Sequence, residues 1–353
     1  MITSICLAIF VLISILHYFP SQHWVFRFTE FAKIQLTVLQ SVVILAIFFM
    51  YDSLSHFDLV VGLVLLATWI HNLIILLPYS PLYPRESKKL KSDKKNISFL
   101  SVNVFQYNED YNLLIKMINR LKPDILLTIE SDKKWEKALE AIEGDYSSFE
   151  KIPQDNTYGL HFYTKLETKN IKVNHFIAND LPSIEADLLS KEKVHFKFFG
   201  IHPPPPSPTE EETSKERDGE ILMLAEYLEN VNIPRLVVGD FNNVAWSRSS
   251  KLFKKATKFL DPRIGRGFIS TFHAKYKLFR FPIDLVFHCE DIYINNLRTE
   301  KPINSDHFPI YGEFVVCEKS KLHEPNHEEL NSEEEEQVDE FIEEGKKVES
   351  KGR

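Results

Sequence analysis

Three apolar runs crowd the first quarter of the chain: residues 2–19 (ITSICLAIFVLISILHYF), 35–50 (QLTVLQSVVILAIFFM) and 57–78 (FDLVVGLVLLATWIHNLIILLP), with Asp58 their only acidic residue. Each approaches the length of about 20 residues that crosses a bilayer as a helix. The first lacks the basic start and small-residue cleavage site of a signal peptide, so a retained helix is expected. Residues 1–80 are therefore expected to form three transmembrane helices, with the lipid bilayer as their partner. Arg27 and Lys33 lie between the first two runs and no Lys or Arg between the second and third; Arg85, Lys88, Lys89, Lys91, Lys94 and Lys95 follow the third. The positive-inside rule then places the rest of the chain on the cytoplasmic side. His71 and Asn72, inside the third run, are expected to bond a neighbouring helix rather than to mark a polar pathway.

After a basic linker over residues 81–96 the pattern changes to short β-branched and aromatic runs alternating with helical ones. Strands are expected at 97–105, 124–130, 159–165, 183–189, 194–202, 235–242, 281–289, 291–299 and 307–316, and helices at 111–122, 134–143 and 214–231. Strands outnumber helices and several follow one another directly, which fits a mixed α/β (α+β) sandwich better than a doubly wound parallel sheet. There is no Walker loop or dinucleotide fingerprint. Cys6, Cys289 and Cys317 have no paired spacing, so neither a disulfide framework nor a zinc knuckle is implied. The net charge of −8 argues against capture of nucleic acid by the whole surface. Much of that acidity lies in residues 318–353, which are so poor in branched apolar and aromatic residues that a disordered, solvated tail is expected. No obligate protein partner is implied.

Polar residues recur at what reads as the C-terminal ends of apolar strands: Asn103 in SVNV, Glu130 in LLTIE, His202 in FFGIH, Asp240 and Asn242 in VVGDFN, Asp284 in PIDLVF, and Asp306 with His307 in SDHFPI. Carboxylates and an amide around one pocket suit a hard cation such as Mg²⁺ or Mn²⁺, whereas the histidines suit proton transfer or hydrogen bonding to phosphoryl oxygen. Taken singly, each has a bland explanation; GDFN alone is most simply a strand running into an Asx-turn. Their order, spacing and strand context together change that balance.

On these residues the segment 97–317 resembles the endonuclease/exonuclease/phosphatase superfamily, which has a deoxyribonuclease I-like fold. It is similar in particular to bacterial membrane proteins that join N-terminal helices to this domain and carry HPPPP after the middle histidine, here His202 to Pro206. The resemblance implies a four-layer α/β/β/α sandwich of two mixed sheets in a bacterial inner membrane protein. It implies that Glu130, helped by Asn103 and Asp306, holds Mg²⁺ or Mn²⁺. It implies further that Asp240 and Asn242 orient the attacking water and the phosphate. His307, paired to Asp284, would act as general base or as stabiliser of phosphate charge, and His202 would donate to a phosphate oxygen or assist the leaving group. Leu285 stands where many relatives have a histidine.

The activity expected is hydrolysis of a P–O bond by metal-assisted in-line attack of water, with nucleic acid, a phospholipid or a phosphorylated small molecule as substrate. A phosphodiesterase or nuclease is favoured. Tethering makes a phosphomonoesterase or a sphingomyelinase-like phospholipid phosphodiesterase the alternative, and a non-enzymatic scaffold recruiting partners through its acidic tail is a third. Two basic stretches, KLFKKATKF and HAKYKLFRF, are either substrate wall or solvated face. Arg217 is either a phosphate ligand or a surface ion pair, and Tyr158-Gly159 either faces substrate or makes a simple turn.

Overall fold

The computed structural model describes residues 2–49, 55–90, 93–318, 323 and 328–348. Strands β1 (Ile97–Asn103), β2 (Ile125–Ile129), β3 (Ser148–Ile152), β4 (Leu160–Thr164), β10 (Ile292–Thr299) and β11 (Ile310–Val316) form one sheet in the order β10-β11-β1-β2-β4-β3. Strands β5 (Thr168–Asn174), β6 (Ser183–Leu189), β7 (His195–Ile201), β8 (Arg235–Asp240) and β9 (Asp284–His288) form the second, in numerical order. The pairs β1–β2 and β7–β8 are parallel and the others antiparallel, so both sheets are mixed. The sheets face each other across a core that includes Phe99, Leu127, Phe162, Phe198, Val238 and Phe314. Helices α5 (Tyr111–Leu121) and α6 (Lys133–Glu143) cover the outer face of the first sheet through Leu114, Trp135 and Leu139. Helices α7 (Lys215–Glu229) and α8 (Arg248–Thr257) cover the second. This is the expected four-layer α/β sandwich.

The inner strands are apolar on both faces because both faces are covered, which is why they read as continuous apolar runs. Edge strands β3 (SFEKI) and β5 (TKNIKVN) escaped the sequence pattern for the opposite reason. Few of their side chains are buried and each strand carries two charged residues, the composition that keeps a free sheet edge from pairing with another chain.

One expectation needs correction. The acidic stretch after residue 318 is not wholly disordered: Ser332–Lys346 forms helix α9, begun by a capping box between Asn331 and Glu334. Phe341 and Ile342 are buried in the main core, and α9 crosses α7 where Gly219 and Gly345 meet, since a Cβ on either would come within 3.0 Å of the other's Cα. Glu334 pairs with Arg248 and Lys255, and Glu344 with Lys215. Those cations are distant in sequence, so the run looked like a solvated face. The expectations for residues 319–322, 324–327 and 349–353 lie outside the described residues. Of the two readings left open for KLFKKATKF, the structure favours a helix surface: it belongs to α8 and its end, where Lys254 pairs with Glu86, Lys255 with Glu334 and Lys258 with Glu329.

The N-terminal segment contains α1 (Ile2–Ile15), α2 (Trp24–Phe31), α3 (Lys33–Phe49) and α4 (His56–Leu76). Among the described residues one helix, His56–Tyr79 with its terminal turn, is long and apolar enough to cross a membrane; α2 and α3 pass the same test only as a pair bent by 71°, and α1 is shorter. Arg27 and Lys33, expected in a loop, are instead buried. Arg27 Nη1 lies 3.5 Å from Glu30, and Lys33 Nζ donates to Asn72 Oδ1 at 3.1 Å. Asn72 in turn donates to Gln40 Oε1 at 3.1 Å, so it ties two helices together as expected. The ends of this segment dock on the sandwich: Phe31, Ile34, Leu76 and Tyr79 pack with Trp246, Phe281 and Ile283, which flank β8 and β9.

Candidate active site

Register brings the polar residues to one rim. Asn103 ends β1 and Glu130 follows β2, two parallel neighbours. Asp240 ends β8 directly opposite Asp284, the first residue of β9. Asp284 therefore opens a strand, and Asp306 and His307 precede β11; neither stands at the C-terminal strand end the sequence suggested. They reach the same rim because β9 and β11 run antiparallel to β8 and β1, so their beginnings lie beside the others' ends. Ser305 fastens the last loop there, its Oγ donating to Asn103 O at 2.8 Å and accepting from His307 N at 3.0 Å.

Local backbone completes the convergence. Glu130, Asn242 and Phe105 have φ of 61°, 46° and 57°, left-handed conformations that non-glycine residues seldom adopt and that turn a side chain sharply out of strand direction. Gly239, just before Asp240, leaves room for β7: a Cβ there would sit 2.0 Å from Ile201 O.

Asp240 is the hub. Its Oδ2 accepts from Asn103 Nδ2 at 3.1 Å and lies 3.5 Å from His307 Nε2 and 3.9 Å from His202 Nε2, while Oδ1 accepts from Asn242 N at 2.9 Å. Asn103 Nδ2 also donates to Glu130 Oε1 at 2.8 Å, and Gln106 N donates to Glu130 Oε2 at 3.2 Å. Asp284 Oδ2 accepts from His307 Nδ1 at 2.8 Å. Asn242 Nδ2 donates to Pro203 O at 3.0 Å and to His202 Nε2 at 3.2 Å, which places the His202 proton on Nδ1, a buried atom without a protein partner. The proline-rich loop thus helps to hold Asn242. Asp306 lines the same cleft as Glu130.

Burial and charge separate the titrating groups. Burial lowers the His307 imidazole, but the Asp284 and Asp240 carboxylates outweigh it and bring the group up to about 10, so it is a cation at neutral pH. Burial lowers His202 to about 4, against the pull of Asp240, and leaves that ring neutral. Burial also raises Asp240, and it raises Glu130 to about 7, with the Asp306 charge adding to the rise.

Two sets of residues here could hold a cation. Asp240, Asp284 and His307 offer ligand atoms within 4.8 Å of one another, but the Asp284–His307 hydrogen bond already occupies one of those pairings. Glu130 and Asp306 present carboxylate oxygens to the cleft at the other side of the rim, one of them disfavoured by burial, which suits a hard divalent cation, while Asn103 turns its Nδ2 to Glu130 and Asp240 and its Oδ1 to Phe105 N.

Sequence reasoning missed part of the wall. The cleft, of about 750 Å³, is lined not only by Glu130, His202, Asp240, Asn242, Asp306 and His307 but also by Trp24, Arg27, Phe28 and Phe31 of α2. Their spacing, i, i+3, i+4 and i+7, is a helical stripe that the loop expectation concealed. Tyr158 also lines the cleft, its ring 5.2 Å from that of His202 and its hydroxyl donating to Glu210 at 2.7 Å. Arg217 is neither phosphate ligand nor surface pair. It is buried, donates to Asp218 Oδ1 at 2.8 and 3.0 Å, and supports the Asn242 carbonyl at 3.0 Å. Leu285 faces the core.

Known proteins agree with this architecture. Zebrafish (D. rerio) TDP2 complexed with single-strand DNA product superposes with a TM-score of 0.54 at 13% identity, covering 63% of this chain and 100% of that one. The human Nocturnin catalytic domain with bound sulfate anion gives 0.52 at 16% identity, covering 67% and 97%. An endonuclease/exonuclease/phosphatase family protein from Bacteroides thetaiotaomicron gives 0.52 at 16%, covering 64% and 100%. No curated protein matches by sequence. The pattern of the Endonuclease/Exonuclease/phosphatase family matches residues 100–307, more than half of the chain, so this chain belongs to that family and is a phosphate-ester hydrolase.

Proposed function

We propose that this hydrolase is an integral membrane phosphodiesterase that cleaves a P–O bond by in-line attack of water with the aid of a divalent cation, Mg²⁺ or Mn²⁺. The observation that carries the chemistry is the line Asp284–His307–Asp240, in which a buried imidazolium is held between two carboxylates beside a cleft. Glu130 and Asp306, with Asn103, would hold the cation, which when bound neutralises charge developing on the phosphoryl oxygens. Asp240 and Asn242 orient the water. His307 donates from Nε2 to a non-bridging oxygen while Asp284 fixes its ring. His202, neutral, stands beside Asp240 and holds the Asn242 amide through Nε2, so that it orients the group facing the phosphate.

Membrane residence is supported by the apolarity of α4 and by side chains such as Val38, Val42, Leu45, Val60, Leu63 and Ile74, large and apolar yet exposed on α3 and α4. Lys33 at the start of α3 bonds His17, just beyond α1, and Asn72, near the end of α4, so these ends meet as an up-down-up arrangement requires, and the basic residues after α4 favour the cytoplasmic face. The test is the purified full chain with Mg²⁺ or Mn²⁺ on bis(p-nitrophenyl) phosphate and on single-stranded DNA. Turnover lost in Asp240→Asn and His307→Gln is expected; a folded protein inactive with every divalent metal overturns the proposal.

A further inference from the structure

Helix α2 places one face on the catalytic cleft. Trp24, Arg27, Phe28 and Phe31 line it together with the residues around Asp240 and His307. The helix is held there by several independent contacts. Trp246 Nε1 donates to Glu30 O at 2.8 Å, Trp24 N donates to Glu212 O at 2.9 Å, Ser214 N donates to Gln22 O at 2.8 Å, and the Phe31 and Phe281 rings meet edge to face at 6.3 Å. The cleft therefore has two chemically distinct ends, a polar floor built by the sheets and an apolar wall built by the N-terminal segment. Phe28 is 51% exposed, a large ring left to a ligand or to lipid. The Nε of Arg27, in a side chain otherwise buried, has no protein partner.

A second element points the same way. The loop between Phe272 and Phe281 exposes Tyr276, Leu278 and Phe279, with Lys275 and Lys277 interleaved. It adjoins the helical segment, because Gln35 Nε2 of α3 donates to Arg280 O at 3.0 Å, and its base, Phe272, lines the cleft. Aromatic and aliphatic side chains with lysines between them suit the headgroup boundary of a bilayer, where rings lie in the interface and ammonium groups meet phosphates.

We infer that the cleft takes an amphiphilic phosphate ester, one carrying acyl chains, with its phosphate at the Asp240–His307 floor and its chains along Trp24, Phe28 and Phe31. This deepens the phosphodiesterase proposal and rests on it. A mostly apolar wall continuous with lipid-facing helices rewards burial of hydrocarbon. A nucleic-acid strand would instead call for a basic groove interleaved with stacking rings, and the cleft's only Lys or Arg among the described residues is Arg27.

The experiment uses the full chain in mixed micelles with Mg²⁺ and compares four probes: bis(p-nitrophenyl) phosphate, glycerophosphoglycerol, dioctanoyl phosphatidylglycerol and a single-stranded oligonucleotide. The acylated diester is expected to exceed its deacylated counterpart in kcat/KM by about tenfold or more. Phe28→Ser and Trp24→Ser are expected to reduce that ratio by about tenfold, through KM. Phe28 is half exposed, so its replacement spares the fold, and each variant's thermal transition checks this. Equal use of the two glycerol diesters, preference for the oligonucleotide, or a ratio unchanged in both variants overturns the inference while leaving the phosphodiesterase proposal standing. No turnover of any probe overturns both.

Discussion

Asp284 and His307, 23 positions apart in sequence, meet through a 2.8 Å hydrogen bond from His307 Nδ1 to Asp284 Oδ2, and this bond directs the other ring nitrogen at Asp240. The pairing assigns the imidazole one orientation and, with Asp240, one charge. Asp284→Asn keeps the shape and removes the charge. It is expected to lower kcat by about two orders of magnitude or more, as loss of an orienting carboxylate does elsewhere. Because Asp284 holds the His307 imidazole up, the alkaline limb of the kcat/KM profile should also move to lower pH, which a profile between pH 6 and 10 measures.

Glu130 and Asp306 line one cleft, where burial and the Asp306 charge both raise the Glu130 carboxyl. Glu130→Gln is expected to stabilise the metal-free protein, since one of two neighbouring carboxylates is gone. The same change should weaken Mn²⁺ binding about tenfold or more and abolish the rise in thermal transition that saturating metal gives the wild type. Calorimetric titration and thermal melts with and without Mn²⁺ check both halves.

Arg217 and Asp218 form a buried ion pair whose carboxylate also accepts from Ser214 and Ser249, both at 2.6 Å. Arg217→Ala strands that carboxylate and should cost about 3 kcal/mol or more in urea denaturation. It also releases the Asn242 carbonyl, so kcat should fall although no substrate contact is removed. Arg217→Met combined with Asp218→Asn is expected to recover part of the stability, because no uncompensated charge remains.

Burial lowers His161 and His288 to about 3 each. Below about pH 6.5 the unfolded chain binds protons at these positions and the folded chain does not. Stability is therefore fully present above pH 6.5 and falls as pH drops toward 3, by up to about 1.4 kcal/mol per pH unit for each ring. Neither His161 nitrogen has a partner, so His161→Phe should raise the urea midpoint at pH 7.5 and flatten its decline toward pH 5.

Much of this protein was legible in its order of residues. Apolar runs revealed the helical segment and the inner strands, because a strand covered on both faces must be apolar throughout and α4 is a long run of apolar residues. Asn103, Glu130, His202, Asp240, Asn242, Asp284, Asp306 and His307 could be singled out because polar groups at the margins of such runs must face a cavity or water. Edge strands β3 and β5, helix α8 and the acidic helix α9 could not be read, since their partners come from distant parts of the chain and their own composition favours solvent. The same holds for α2. Its stripe of Trp24, Arg27, Phe28 and Phe31 acquires meaning only when Trp246 and Phe281 bring it against the catalytic rim. Sequence singled out the polar residues that gather at the rim; tertiary structure decided their opposition, through the antiparallel registers that set Asp240 against Asp284 and the docking that gave the cleft its apolar wall.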